Sequence, residues 1–539
     1  MPQRRPARSI GRRALAVIAA LALVLALPTT SLGYNTPSAA YIRFVPGAAP
    51  GAKVVPLVNS GETIFGDTFE GLPDGIGVVP IDDDHVDLYV THEQSHVPFP
   101  IGVVVGGVTQ TGTADHQDSS VTRVRVQLST RSIVDMDVAL SPDEGFIRFC
   151  SAFMAGPEHG FDDYTFLVNE ESDDDLPVPA GAVYGSDPAM APLREAGYSV
   201  WLDTPTEGLN VIPGLGRVNH ENTVVVPGGW SDLAVLTGDD TFNAPSSQLY
   251  MYTAQDADAF KADQGGLWAF RVTATDDGQL ADPTDPFNGA NDYGDMAVGD
   301  TWSGEFIPVD PPTARGDLPT TNPQAGLEAW SNANNVFQFI RVEDIAYDPD
   351  NPRVIYFADT GEPRALTDAQ WVALNPGVNL PSGRLHRGPS GTVGSFPVGR
   401  VFRMVLNAED PTKVDEFSVF LEASSIGMRN PDNVAVGHKS IMVQEDASNA
   451  KIWRYNFARN SWTHVATATQ PTAETSGIVD LSPWLGAGWW ALDVQSHLNQ
   501  FVDPTTYYWP DGPDPNTDPD PYQKRREDGQ LLLMFIPRS

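Results

Sequence analysis

Short runs of alternating or β-branched residues recur along almost the whole 539-residue sequence, and clusters of Gly, Pro, Asp and Asn separate them. Typical runs are "VTRVRVQL" (121–128), "ENTVVV" (221–226) and "KIWRY" (451–455). Such runs are typical of strands joined by tight turns, so the sequence predicts an all-β protein. Amphipathic helical patterns are few, and the clearest, over residues 366–374, is short.

The spacing of these strands favours a β-propeller over several sandwiches in series. No Pro/Ser-rich linker divides the middle of the chain, and a related phrase occurs at 342–360 and again at 430–448. Weak self-similarity at this spacing is a propeller signature. We therefore expect residues 34–539 to form a single β-propeller with inserted loops and few short helices. The Asp/Pro-rich stretch at 509–528 lacks the spacing of a known calcium loop and is expected to be a solvated surface loop.

The first 33 residues have the composition of a signal peptide. Five arginines and no acids precede an unbroken apolar run of 14 residues, and small residues follow the run. A membrane-spanning helix needs roughly 20 apolar residues, so a retained anchor is the weaker alternative. The Arg12-Arg13 pair is compatible with a twin-arginine signal, which exports folded chains. We expect an extracellular or periplasmic protein without a membrane span in its mature part.

The sequence is strongly acidic, with a formal charge of −37 at pH 7. Such a surface repels nucleic acid and anionic membranes, so neither is an expected partner. It suits a chain that binds hard cations, because calcium prefers carboxylate oxygens. A surface that is acidic only for solubility or salt adaptation is the alternative. The single cysteine, Cys150, excludes an intrachain disulfide.

Acidic residues recur where the predicted strands begin or end, several of them in pairs. Adjacent carboxylates repel, and burying them near one axis is costly unless cations neutralise them. Because strand ends of a propeller converge on its channel, these acids predict a hard-cation site, although any one of them could be a turn residue. Arg341, two residues before Glu343, indicates an anionic ligand or, alternatively, a plain salt bridge.

Five of these segments, taken in order, resemble the PhoX-type alkaline phosphatases, and the resemblance runs from about residue 85 to 456. The matching phrases are "VTHEQ" (90–94), "RFCSAFMAG" with "FLVNEES" (148–172), "GRVNHENTVVV" with "LTGDD" (216–240), "RVEDIAYDP" (341–349) and "NPDNVAV" with "MVQED" (430–446). The resemblance implies an exported, six-bladed propeller enzyme that hydrolyses small-molecule phosphate monoesters at a calcium and iron cluster in its channel. We also expect the protein to be a monomer.

The same resemblance assigns roles to individual residues. Arg341 becomes the phosphate clamp, and Cys150 becomes an iron ligand, since a thiolate is a soft ligand. A buried, inert cysteine is the alternative. The implied metal ligands are Cys150, Glu93, Glu170, Glu171, Glu221, Asp240, Glu343 and Asp446. Further candidates are His92, His220, Asp239, Asp432 and Glu445.

The match to the family departs at two positions. Thr91 stands where the family has an asparagine, and Val342 stands where the family has a proline between the arginine and the glutamate. Two other functions therefore stay open. One is a calcium-dependent propeller hydrolase of the lactonase or phytase type. The other is a non-enzymatic, calcium-stabilised binding propeller in which the paired acids are structural.

Overall fold

The computed structural model describes residues 33–94, 104–105, 108–109, 118–241, 247–276, 291–377, 385–470, 473–501 and 525–537. The predicted signal peptide lies outside the described residues, except for its last position. Most of the Asp/Pro-rich stretch at 509–528 lies outside them too. None of the helices in the described ranges has both the length and the apolar content that a membrane crossing requires.

The strands form six antiparallel blades, and the first range given for each blade is its inner strand. Blade 1 comprises Pro73–Asp82, His85–His92, Ser120–Gln127 and Ser132–Leu140, and blade 2 comprises Phe149–Ala155, Thr165–Glu170, Ser199–Asp203 and Gly208–Val211. Blade 3 comprises His220–Val226, Leu233–Asp239, Leu249–Ala254 and Gly266–Ala274, and blade 4 comprises Val342–Asp348, Asn351–Asp359, Arg400–Leu406 and Lys413–Glu422. Blade 5 comprises Pro431–Gly437, Ser440–Glu445, Lys451–Asn456, Ser461–Ala468 and Ile42–Phe44, and blade 6 comprises Ala473–Asp480, Trp489–Phe501, Arg525–Phe535 and Lys53–Asn59.

The six inner strands form a closed ring around one axis. Each inner strand contacts the inner strands of both neighbouring blades, and the inner strand of blade 6 contacts that of blade 1. A buried apolar cluster lies between every two adjacent blades, the largest between blades 3 and 4. Each blade thus buries one face of its sheet against each of the two neighbouring blades. The prediction of an all-β propeller is confirmed, and the propeller has six blades.

Strands from both ends of the described chain close the ring. Lys53–Asn59 is the outer strand of blade 6 and pairs with Arg525–Phe535, while Ile42–Phe44 pairs with Ser461–Ala468 of blade 5. Leu57 and Val58 on the first of these strands are fully buried between blades 6 and 1. Closure therefore depends on backbone hydrogen bonds and apolar burial, because a disulfide is excluded.

Blades 3 and 4 are joined at their outer edges as well as at the axis. Trp302–Pro308 pairs with the outer strand of each blade, which produces one continuous nine-stranded sheet. Two-stranded pairs occur in the loops: Thr63–Ile64 with Asp67–Thr68, Val104–Val105 with Val108–Thr109, Asp175–Pro177 with Leu193–Glu195, and Ala365–Leu366 with His386–Arg387.

Helices are short and lie in the connections between strands. The predicted helix within 366–374 is confirmed as Asp368–Leu374, and Thr367 caps it. The longest described helix, Pro323–Ala333, was not singled out by the sequence analysis. The remaining described α-helices are Ala257–Lys261, Pro311–Ala314 and Ser482–Leu485, and the described 3₁₀ turns are Pro142–Glu144, Pro157–His159, Pro213–Leu215, Tyr293–Asp295 and Ala423–Ser425.

We expect Leu57→Ala to lower the free energy of unfolding by about 2–5 kcal/mol, because it opens a cavity in the cluster that seals the ring. The exposed Lys53 on the same strand provides the matched control, and Lys53→Ala should change stability by less than about 0.5 kcal/mol. Urea unfolding of both variants measures the difference. Equal stability of the two variants would contradict the assigned role of this strand in closure.

Candidate metal centre

The second residue of every inner strand carries a carboxyl or thiol group, and all six strands begin at the same end of the axis. These residues are Asp74, Cys150, Glu221, Glu343, Asp432 and Glu474. All but Glu221 line one cavity of about 260 Å³, and Glu221 lies beside Cys150 and Glu343. The ring therefore gathers potential metal ligands from six separate segments into one place.

A β-bulge at the same place in blades 1 to 5 directs these side chains to the axis. In blade 1 the first residue of the inner strand, Pro73, pairs with His92, but the fourth, Ile76, pairs with Val90. The inner strand thus carries one extra residue, and blades 2 to 5 repeat this offset. In blade 6 the bulge lies further along the strand, after Ser476. Bulges re-aim side chains and are frequent beside functional sites.

The residue that follows the second strand supplies a further acid in several blades. Glu93, Glu171 and Asp446 occupy this position in blades 1, 2 and 5, and all three line the cavity. With the second-position residues, the described lining contains seven carboxyl groups, one thiol and the guanidinium groups of Arg148 and Arg341. If all the carboxyl groups ionised, two positive charges would face seven negative ones. Bound cations would relieve this imbalance.

Three groups of potential ligands form a connected chain. In each group one ligand atom per residue lies within 4.8 Å of the others, and the groups are Asp74–Glu93–Cys150, Cys150–Glu171–Glu221 and Glu221–Glu343–Asp432. Cys150 belongs to the first two groups, and Glu221 belongs to the last two. The arrangement therefore suits several neighbouring cations that share ligands across blades 1 to 5.

Unpaired oxygens and perturbed pKa values support this interpretation. Oδ1 of Asp74 and Oε2 of Glu221 are buried and have no hydrogen-bond partner among the described residues. Burial raises the pKa of Asp74 to about 7. Burial, reinforced by Glu343 and Glu171, raises the pKa of Glu221 well above its ordinary value. A buried carboxylate without a donor is costly, and a hard cation would satisfy it.

Cys150 lies at the centre of this chain. The residue is 9% exposed, and its Sγ donates to Oδ2 of Asp74 over 3.4 Å. Burial and the nearby carboxylates raise the pKa of the Cys150 thiol well above its ordinary value. The thiol is therefore protonated in the metal-free protein, and a thiophilic cation would have to displace that proton.

Arg341 is held rigidly beside the acids. Its Nε and Nη2 donate to the two carboxylate oxygens of Asp240 at 2.7 and 2.6 Å, and its Nη2 lies 3.3 Å from Oε1 of Glu343. Asp240 is fully buried behind this guanidinium group. The sequence prediction made Asp240 a metal ligand, but the structure places its carboxylate against Arg341, where it orients the arginine.

Glu170 does not line the cavity, contrary to the sequence prediction. Its carboxylate forms a bidentate ion pair with Arg194, with both distances 2.7 Å, and both side chains are fully buried. The backbone N–H groups of Ile147 and Tyr198 also donate to it. Successive residues of a strand point to opposite faces, so Glu171 enters the cavity while Glu170 points away from it.

The same alternation turns four other predicted residues away from the cavity. His92 contacts Thr122, Asp239 accepts from Thr241, and Glu445 accepts from Trp453. His220 contacts Thr237 and the carbonyl of Gly216. These side chains hold the blade ends together. Of the less certain candidates, Asp432 alone lines the cavity.

A hydrogen-bonded floor lies beneath the cavity. Ser151 Oγ donates to Glu221 over 2.7 Å, Asn433 Nδ2 donates to Ser151 over 3.0 Å, and Ser476 Oγ donates to Asn433 over 2.9 Å. Blades 2 and 5 face each other in a six-bladed ring, so the contact between Asn433 and Ser151 crosses the axis. Asp344 extends the floor by accepting from Asn222 and from the backbone N–H of Val434. These contacts fix the ligand positions.

Both departures from the family pattern have local structural reasons. The buried Thr91 hydroxyl donates to the carbonyl oxygen of Cys150 over 2.7 Å. The backbone N–H of Val342 donates to Ser247 Oγ over 2.9 Å. A proline at this position has no N–H and could not form that bond.

Sequence reasoning missed three residues of the cavity: Asp74, Arg148 and Glu474. Two signals were available. The "PDG" at 73–75 matches the "PDN" at 431–433, and "AETSGIV" at 473–479 places an acid second in another strand. Arg148 stands directly before its inner strand, as Arg341 does. Recognising these signals requires the strand starts to be aligned across blades, which a single sequence does not provide.

The fold and cavity together define a class of protein: a six-bladed propeller with an acidic, thiol-containing site at one end of its axis. No protein-family model and no curated protein matches the chain. Among solved structures it is similar to Pseudomonas fluorescens PhoX, solved in complex with vanadate, a transition state analogue. The TM-score is 0.56 and the identity 14%, over 94% of this chain and 97% of that chain.

A second similar structure is the periplasmic gluconolactonase PpgL of Pseudomonas aeruginosa. The TM-score is 0.30 and the identity 12%, over 75% of this chain and 87% of that chain. This second likeness is too remote to support an argument. The first establishes a PhoX-like fold, and at its sequence identity it establishes the fold alone.

We expect a chelator to lower the stability of the isolated protein and added calcium to restore it. A cation that binds only the folded state adds about 2.7 kcal/mol at a hundred times its Kd. Thermal unfolding with and without chelator measures the effect. Glu343→Gln should reduce the calcium-dependent shift, whereas Glu362→Gln, at a buried acid paired with Arg364 and Arg387, should keep it. Insensitivity of the wild type to the chelator would contradict the assignment.

Proposed function

We propose that this chain is an exported, metal-dependent phosphomonoesterase of the alkaline phosphatase type. Its substrates are small-molecule phosphate esters, and its metals are calcium and iron. The observation that carries the proposal is the convergence of six second-position residues, five carboxylic acids and one cysteine, at one end of the axis, where all but Glu221 line a cavity that also contains a fixed guanidinium group. An acidic cavity with that cationic group suits an anionic substrate only when cations neutralise the acids.

The donor set fits two kinds of cation. Oxygen ligands from Asp74, Glu93, Glu171, Glu343 and Asp432 suit calcium. The thiol of Cys150 is out of place beside calcium alone and suits iron. When bound, such cations polarise phosphoryl oxygens and neutralise the charge that develops on them.

Arg341 is the protein side chain that binds the phosphoryl group, alongside the metal ions. Asp240 binds the Nε–Nη2 edge of Arg341 and so fixes the orientation of its Nη1–Nη2 edge. Two donors on that second edge match two oxygens of a phosphoryl group, with little reorganisation on binding. The floor of Ser151, Asn433 and Ser476 keeps the surrounding carboxylates in place. The likeness to PhoX, whose solved complex holds vanadate, supports this assignment of the cavity.

We expect Arg341→Lys to lower kcat/KM for a chromogenic phosphomonoester by about 10²–10³-fold, because a point charge replaces a two-point donor. Steady-state kinetics of the protein isolated with its metals measures the change. Arg123→Lys is the matched control, since Arg123 is 13% exposed against 14% for Arg341 and pairs with acids on the outside of blade 1. It should retain wild-type activity.

Two outcomes would overturn the proposed function. One is a metal-loaded wild type that hydrolyses no phosphomonoester. The other is a wild type that hydrolyses a sugar lactone instead, which would favour a lactonase-type propeller. Equal activity of the two arginine variants would overturn the role of Arg341 alone.

We expect elemental analysis of the isolated protein to find calcium and iron together. Cys150→Ser should lose most of the iron and retain calcium, because an alcohol is a poor ligand for a thiophilic cation. Cobalt substitution gives an independent readout, since a thiolate ligand produces a near-ultraviolet charge-transfer band that Cys150→Ser would abolish. Calcium without iron, or iron that survives this substitution, would contradict the assignment of Cys150.

A further inference from the structure

Arg148 occupies the same position in blade 2 that Arg341 occupies in blade 4. Each arginine immediately precedes the inner strand of its blade, and each lines the cavity. Blade 3 lies between these two blades, so the two arginines belong to the blades that flank it. The described lining that comes from blades 5, 6 and 1 contains only acids. Among the described lining residues, the cavity thus has a side with two cationic groups and a side with none.

The contacts of Arg148 aim its guanidinium group into the cavity. Its Nε donates to the carbonyl oxygen of Glu171 over 2.8 Å, and its Nη2 lies 3.0 Å from both Glu93 Oε1 and Glu171 Oε2. Its backbone φ is +49°, in the left-handed region that non-glycine residues rarely adopt. The backbone N–H of Arg148 donates to the carbonyl oxygen of Gln94 over 2.6 Å, and its own carbonyl oxygen accepts from the backbone N–H of Glu171 over 2.9 Å. These two bonds hold the unusual backbone conformation in place. Unusual conformations of this kind cluster at ligand-binding sites.

Cations in the cavity would change the surroundings of this arginine. Glu93 and Glu171, its two partners, each belong to a group of potential ligands. If these carboxylates bound cations, the Arg148 guanidinium group would lie beside those positive charges. It would also share its two carboxylate partners with the cations. A further anion next to Arg148 would then be favourable, because it would offset that repulsion.

We infer that Arg148 is a second oxyanion-binding residue, and that it and Arg341 hold the phosphoryl group between them in the cavity. This inference rests on the proposed function and extends it to substrate class. Two guanidinium forks match the three terminal oxygens of a phosphate monoester better than the two of a diester. Arg148 therefore contributes to selection of monoesters.

The test is binding of inorganic phosphate by calorimetry to the protein isolated with its metals. Arg148→Ala should weaken phosphate binding about 10- to 100-fold, the usual range for a lost charge-assisted hydrogen bond. Its metal content should match that of the wild type, because arginine is not a metal ligand. Millimolar guanidinium ion should partly restore binding, which a purely structural role would not predict. Arg364→Ala is the matched control, since both arginines are 28% exposed and Arg364 pairs with Glu362 outside the cavity.

Arg148→Lys covers the case in which the alanine variant fails to fold or loses metal. It keeps a positive charge beside Glu93 and Glu171, and we expect normal metal content with phosphate affinity lowered about tenfold. Wild-type phosphate affinity in either correctly metallated variant would overturn the inference. A wild-type protein that binds no phosphate would instead overturn the proposed function itself. The ratio of monoester to diester kcat/KM should also fall in Arg148→Lys, and an unchanged ratio would overturn the claim of monoester selection.

Discussion

Six strands that begin at one end of a common axis bring their second residues together, and five of those residues are carboxylic acids. Burial raises the pKa of Glu343 and Asp432 well above the ordinary value, and neighbouring acids reinforce the effect. The apolar clusters between the blades hold the ring closed against this repulsion. The rest of the site follows from the same constraint, because each additional group either offsets the crowded negative charge or fixes the geometry around it.

Most of the floor beneath the cavity is built from the residue that follows each ligand in blades 2 to 5: Ser151, Asn222, Asp344 and Asn433. Ser476 of blade 6 adds to it. In blade 1 the corresponding residue is Gly75, where a Cβ atom would lie 2.3 Å from the backbone nitrogen of Ala152. Ligand, floor residue and bulge thus form one repeated unit. Rigid positioning of this kind keeps charged groups at fixed separations that a flexible loop could not maintain.

Much of this arrangement follows from the sequence, and some of it does not. Recurrent short strands identified the propeller, and acids at strand ends identified the region of the site. The sequence could not tell which acid of a pair faces the axis. Glu170 and Glu171 are the same residue type and adjacent in the sequence. The fully buried Arg194, 24 residues after Glu170, pairs with Glu170, and Glu171 lines the cavity instead. Asp74 and Arg148 were missed for a related reason. Only a superposition of the blades shows that they occupy the same positions as the predicted site residues of other blades.

The closure of blade 6 affects when the cavity forms during folding. Gln495 donates to both Asp74 and Glu93, partners that lie 421 and 402 residues earlier in the chain. The outer strand of the same blade comes from the other end of the described chain. Contacts between such distant segments form late and slowly during folding. During synthesis, the wall between blades 6 and 1 therefore stays open until Arg525–Phe535 has emerged from the ribosome, and the cavity cannot be complete before then.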